Sequence, residues 1–202
     1  MKSVWGLAAM LLLPTATAWS ADQQVAVYRD KPRSYMGASL VHTSIDYSGL
    51  DETLHPTAAT VRMGGMAGDH VGLELRLGAG GGQVTTRNSF GNTRTKTDYS
   101  VDYLGALFFT ARAPFLELPR VGTFYSQGYL GFGTEQIQTV REVCNPGCRS
   151  DTERNDETGP AFGLGLGLRA RPELSLALEY THYVSSNGVS VSGLEGVVMY
   201  HF

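Results

Sequence analysis

Val71-Gly72-Leu73-Glu74-Leu75-Arg76-Leu77-Gly78-Ala79 carries two different chemistries on alternate residues. Val71, Leu73, Leu75, Leu77 and Ala79 form one set. Gly72, Glu74, Arg76 and Gly78 form the other. A helix would mix the two sets around its axis, whereas a strand keeps them on opposite faces. One face is therefore apolar and the other carries glycine and opposite charges.

The same alternation recurs toward the C-terminus. Phe162, Leu164, Leu166 and Leu168 alternate with Gly163, Gly165, Gly167 and Arg169. Leu174, Leu176, Leu178 and Tyr180 alternate with Ser175, Ala177, Glu179 and Thr181. The last segment sets Leu194, Gly196, Val198, Tyr200 and Phe202 against Glu195, Val197, Met199 and His201. Eight segments read this way, at 34–47, 58–67, 71–86, 97–113, 122–139, 159–170, 173–184 and 190–202. Most are longer than an average globular strand and reach the length that a tilted membrane strand needs. The connections 68–70, 114–120 and 171–172 are short, while 48–57, 87–96, 140–158 and 185–189 are mostly longer and polar. An even number of strands with short turns at one end and longer loops at the other predicts an all-β fold. It is an eight-stranded antiparallel up-and-down transmembrane β-barrel, with short periplasmic turns and longer extracellular loops.

Lipid cannot solvate charge, so the leucine faces point outward. The lumen then holds Arg62, Glu74, Arg76, Asp102, Glu135, Arg169, Glu179 and Glu195 as a charge network. Eight strands leave an interior just wide enough for side chains. The expectation is a closed, polar lumen in which glycines make room for the charged chains. Tyr35, Tyr47, Tyr99, Tyr103, Phe124, Tyr125, Tyr180, Tyr183, Tyr200 and Phe202 stand near strand ends, as the aromatic girdles of such a barrel do. A soluble periplasmic barrel is the alternative, and it inverts every face.

The chain has 202 residues. Its start reads as an exported leader over 1–20: Lys2, the apolar run Val4–Leu13, then small residues through Ser20. The domain is then 21–202. The apolar run is too short to cross a bilayer as a helix. Glycine is abundant, at 25 residues, without a collagen period, and 10% aromatics exclude a disordered chain. A net charge of −3 gives no basic footprint for nucleic acid.

The segments Val71–Gly78, Gly128–Gly133, Leu176–Tyr180 and Val197–Phe202 resemble the small outer-membrane β-barrel superfamily, which includes the OmpA transmembrane domain, OmpX, Ail-like proteins and opacity antigens. The resemblance covers nearly all of the mature chain. It implies residence in the outer membrane of a Gram-negative bacterium among lipid and lipopolysaccharide. It also implies delivery by the barrel-assembly machinery through a terminal signal at Tyr200 and Phe202, although the usual glycine stands one position off, at Gly196.

Candidate chemistry is sparse. Asn145-Pro146-Gly147 turns the chain between Cys144 and Cys148, and in an oxidising compartment these two form a loop disulfide. Its loop mixes Arg141, Glu142, Arg149, Asp151, Glu153, Arg154, Asp156 and Glu157. Loop 87–96 is more basic, with Arg87, Arg94 and Lys96. Both read as solvated surface, or as contacts for a host molecule or lipopolysaccharide phosphates. The run from Thr181 to Gly188 faintly resembles lipid A deacylases, but the position two after His182 is Val184, and Ser185 points away from His182 in a regular strand. Neither a metal motif nor a phosphate loop is present. The expected function is non-catalytic and cofactor-free: a porin-like surface protein, structural or adhesive, acting through its loops. A lipid A-modifying enzyme and a narrow pore are the alternatives.

Overall fold

The computed structural model describes residues 34–47, 53–68, 70–80, 83–90, 93–186 and 189–202. The leader expected at 1–20 and the side chain of Tyr47 lie outside them. The strands are β1 (Ser34–Tyr47), β2 (Thr57–Met66), β3 (Val71–Gly80), β4 (Gln83–Phe90), β5 (Thr93–Leu118), β6 (Gly122–Asn145), β7 (Gly147–Arg171), β8 (Leu174–Ser186) and β9 (Val189–His201). All pairings are antiparallel, in the order β3-β2-β1-β9-β8-β7-β6-β5-β4. β3 also pairs with β5, from Val71↔Ala111 to Gly78↔Leu104. That pairing joins the ends of the order into a ring of eight. β4 stands above β3 and pairs with the upper part of β5.

The face assignment is the one that lipid requires. Leu40, Leu73, Leu107, Phe109, Phe132, Leu164, Leu166 and Leu178 are half or more exposed, while Arg62, Glu74, Arg76, Glu179 and Glu195 are at most 2% exposed. The inverted, soluble barrel is thereby excluded. The interior is layered. Val41, Ile45, Val101, Leu104, Ile137, Val184 and Val191 fill the extracellular half, joined by Leu54, which reaches in from the loop after β1 and bridges to Ile45. Tyr35, Tyr125, Val197 and Met199 fill the periplasmic end. The charges occupy the belt between.

Three expectations need correction. The loops 87–96 and 140–158 are largely strand. β4 and β5 pair up to Phe90↔Thr93, and the β6–β7 ladder runs unbroken from Thr123↔Arg169 to Asn145↔Gly147. β5, β6 and β7 thus continue past the barrel and form, with β4, a four-stranded extracellular ribbon. The girdle is also smaller than expected. Tyr103, Tyr180, Tyr200 and Phe202 face outward, but Tyr35, Tyr125 and Tyr183 are buried in the lumen and Tyr99 packs against the upper core. Two of these rings lie flat on glycine: a Cβ at Gly64 would strike the Tyr35 ring, and one at Gly167 would strike Tyr125. Finally, a bulge between His182 and Val184 turns both Tyr183 and Val184 inward. This returns Ser185 to the outward side, where a regular strand would have faced it away from His182.

Candidate functional site: a buried charge cluster and an extracellular ribbon

The belt is built by β2, β3, β8 and β9. Arg62 on β2 reaches Glu179 at 2.9 Å, Glu195 at 2.7 Å and Glu74 at 3.4 Å. Arg76 on β3 reaches Glu74 at 2.5 Å and both Glu179 and Glu195 at 2.9 Å. Every side chain in these six contacts is fully buried. Hydroxyls complete the carboxylates: Tyr35 donates to Glu74 at 2.6 Å, Ser39 to Glu195 at 2.9 Å, and Tyr183 to Glu195. Gly165 makes the space, since a Cβ there would come within 2.7 Å of the Glu179 side chain.

Two arginines against three glutamates leave one negative charge. Arg112, which the sequence reading did not single out, balances it. Its guanidinium donates to Gln127 at 3.3 Å, and Gln127 donates to Glu179 at 2.5 Å. Arg112 also lies over the rings of Tyr125 and Tyr35, at 4.6 and 5.4 Å, and Arg76 lies over Tyr129 and Phe108, at 4.3 and 4.8 Å. The only clue to Arg112 was its place on the same side of the strand as Thr110 and Phe108.

Asp102 and Arg169, expected in this network, stand elsewhere, and Glu135 lies in the lumen but outside the cluster. Asp102 sits, partly exposed, at a bulge between Val101 and Tyr103 and faces the exposed Arg154 at 3.4 Å. Arg169 donates to the Pro172 carbonyl at the periplasmic turn, at 2.6 and 3.0 Å. Glu135 is fully buried, but both of its carboxylate oxygens lack a hydrogen-bond partner. It stands opposite Leu104 on one side and Glu157 on the other. The lumen charge cluster therefore holds Arg62, Glu74, Arg76, Glu179 and Glu195.

Cys144 and Cys148 are joined by a disulfide at the tip of the ribbon. Below the tip, Arg87, Asn88, Ser89, Arg94, Thr95, Lys96, Glu142 and Cys144 line a groove of about 440 Å³. Lys96 lies 2.7 Å from Asp98. Hydrogen bonds from Lys96 and Thr85 hold the Asp98 carboxyl below the usual carboxylate range. His182 stacks on Phe162 with ring centroids 4.8 Å apart. Among the described residues no hydrogen bond joins His182 to Ser185. Tyr200 and Phe202 face outward at the end of β9, where the backbones of Phe202 and Ser34 bond to each other.

A closed antiparallel ring with an apolar exterior and a charged, filled interior is an outer-membrane architecture, and a family model for the outer membrane protein beta-barrel domain matches residues 6–202. The chain belongs to the outer membrane protein β-barrel family. This places it in the outer membrane of a Gram-negative bacterium. No curated protein matches the chain. Among solved structures, Ail, the attachment invasion locus protein of Yersinia pestis, aligns at a TM-score of 0.55 and 15% identity, over 85% of this chain and 99% of Ail. Ail in complex with the heparin analogue sucrose octasulfate aligns at 0.54, with the same identity and coverage. Neisserial surface protein A aligns at 0.48 and 14% identity, over 84% of this chain and 97% of the neisserial chain. These family likenesses are of fold.

Proposed function

We propose that this protein is a non-catalytic surface barrel that acts by recognition through its extracellular ribbon. The observation that carries this reading is the contrast between the two halves of the molecule. The lumen is filled at three levels by the upper apolar layer, the paired charges and the lower aromatic layer, which leaves it suited to holding shape rather than to passing solutes. The ribbon is the opposite: four paired strands, tied at the tip by a disulfide, with charged side chains on both faces in water. Rigid presentation lowers the ordering cost of binding. Ail, whose fold is similar, has been crystallised with a sulfated sugar, so sucrose octasulfate is the natural first probe.

The test compares the folded protein with a variant in which two-residue turns join Gln138 to Arg154, which face each other across β6 and β7, and Thr85 to Asp98, which face each other across β4 and β5. The full ribbon should retain sucrose octasulfate on a surface sensor and the shortened one should not. Equal retention by both would refute the reading. Steady single-channel conductance would favour the narrow pore instead, and a change in the acyl pattern of lipid A that is lost in His182→Ala would favour the enzyme.

A further inference from the structure

The groove under the ribbon tip has an electrostatic fault. Arg87 on β4 stands directly opposite Lys96 on β5, and Ser89 directly opposite Arg94. Like charges directly opposite on neighbouring strands destabilise the pair. Lys96 is compensated by Asp98. Arg87 and Arg94 are exposed, and among the described residues neither has a carboxylate within ion-pair distance. One acid, Glu142, faces Lys96 from β6. The groove therefore presents two guanidiniums without an ion-pair partner among the described residues about a third, neutralised cation, with Ser89 on the same face supplying a neutral hydrogen-bonding group. Guanidinium forks fit the oxygens of sulfate and phosphate esters, and the Ser89 hydroxyl fits a sugar hydroxyl.

The height of the groove decides where such an anion comes from. Tyr103, the outward girdle ring of β5, stands opposite Gln136 of β6, and Glu142 lies six residues further along β6 within the groove. At about 3.4 Å per residue and a tilt of about 40°, those positions are separated by roughly 15 Å along the membrane normal. The headgroup layer is only about 5–7 Å thick on each side of the hydrocarbon. Phosphates of the surrounding lipid A lie well below the reach of Arg87 and Arg94.

We propose that the Arg87–Arg94–Lys96 groove binds sulfate- or phosphate-bearing saccharides presented from outside the cell, not the lipid phosphates of its own membrane. This rests on the reading of the ribbon as the recognition element and assigns that element its ligand class and its residues.

The test uses the folded full-length barrel in nanodiscs, with dextran sulfate, neutral dextran and lipid A vesicles as probes. The variants are Arg87→Glu/Arg94→Glu and, as a control, Arg149→Glu, which lies on the opposite face of the ribbon. Retention of heat-modifiable gel mobility shows that each is folded. Dextran sulfate should bind the parent and neutral dextran should not. The double variant should lose affinity by tenfold or more, since a charge-assisted contact contributes about 1.5–3 kcal/mol, and Arg149→Glu should stay within about twofold, as for a distant surface charge. Equal loss in both variants would mean diffuse charge and would overturn the proposal. If the double variant binds normally while the shortened ribbon does not, recognition by the ribbon stands and the groove assignment falls. If the shortened ribbon also binds normally, both fall. Loss of lipid A binding in the double variant would overturn the choice of source.

Discussion

Arg76 and Glu179 meet at 2.9 Å although their strands, β3 and β8, stand four places apart in a ring of eight. They are diametrically opposed, so the bond spans the full width of the lumen. A contact of this kind fixes the cross-section of the barrel as well as filling it. Glu179 also holds Arg62 and, through Gln127, Arg112.

Glu179→Ala should therefore be among the most damaging single changes in the wall. Removing one partner of a buried ion pair leaves charge uncompensated and costs about 3–5 kcal/mol. The measurement is urea unfolding of the refolded barrel followed by unboiled gel mobility, and an unchanged midpoint would contradict the assignment.

Glu135→Leu should do the reverse. A buried carboxylate with neither oxygen satisfied carries its desolvation cost with nothing in return, so removing it is expected to stabilise by about 1–3 kcal/mol. The same unfolding series reads the sign directly. A destabilised Glu135→Leu would mean that the carboxylate has a partner in the membrane-embedded protein.

Leu166→Arg tests the orientation of the wall. Leu166 is 62% exposed on the lipid face of β7. Arginine at mid-depth on that face costs about 2–4 kcal/mol. Little or no loss would put this face in water rather than lipid.

Cys144→Ser/Cys148→Ser should leave the barrel untouched and loosen only its tip. The bond closes a ring of five residues, so it restrains little of the unfolded chain. Amide exchange should rise near the Asn145-Pro146-Gly147 turn while gel mobility stays that of the parent. A collapse of the whole barrel would show that the tip supports more than itself.

The barrel was legible in the sequence because lipid on one side and a packed lumen on the other impose opposite chemistries on alternate residues. Where that asymmetry ends, so does the signal. In β6 and β7 beyond Val140 and Thr152 both faces meet water, so Arg141, Glu142, Arg149 and Asp151 read as loop although their backbones are paired. Bulges defeat the parity rule in a second way: one at Tyr183 changed the face of Ser185, and one beside Asp102 moved that carboxylate out of the lumen. Tyrosines were ambiguous for a third reason. The ring suits the membrane interface, but it equally suits a lumen where its hydroxyl can meet a carboxylate, as Tyr35 meets Glu74. Arg62, Glu74, Arg76, Glu179 and Glu195 were legible as inward charges, but their mutual contacts depend on strand order and stagger, which alternation does not encode.

All five ion-paired residues of the belt come from β2, β3, β8 and β9, and the ribbon rises from β4, β5, β6 and β7. The ion pairs that secure the wall and the ribbon above it thus lie on different strands, with Arg112 on β5 and Gln127 on β6 as the links between them. The length, charges and tip of the ribbon can change without touching any of the five ion-paired residues, so the molecule is laid out as a mount carrying a separable head.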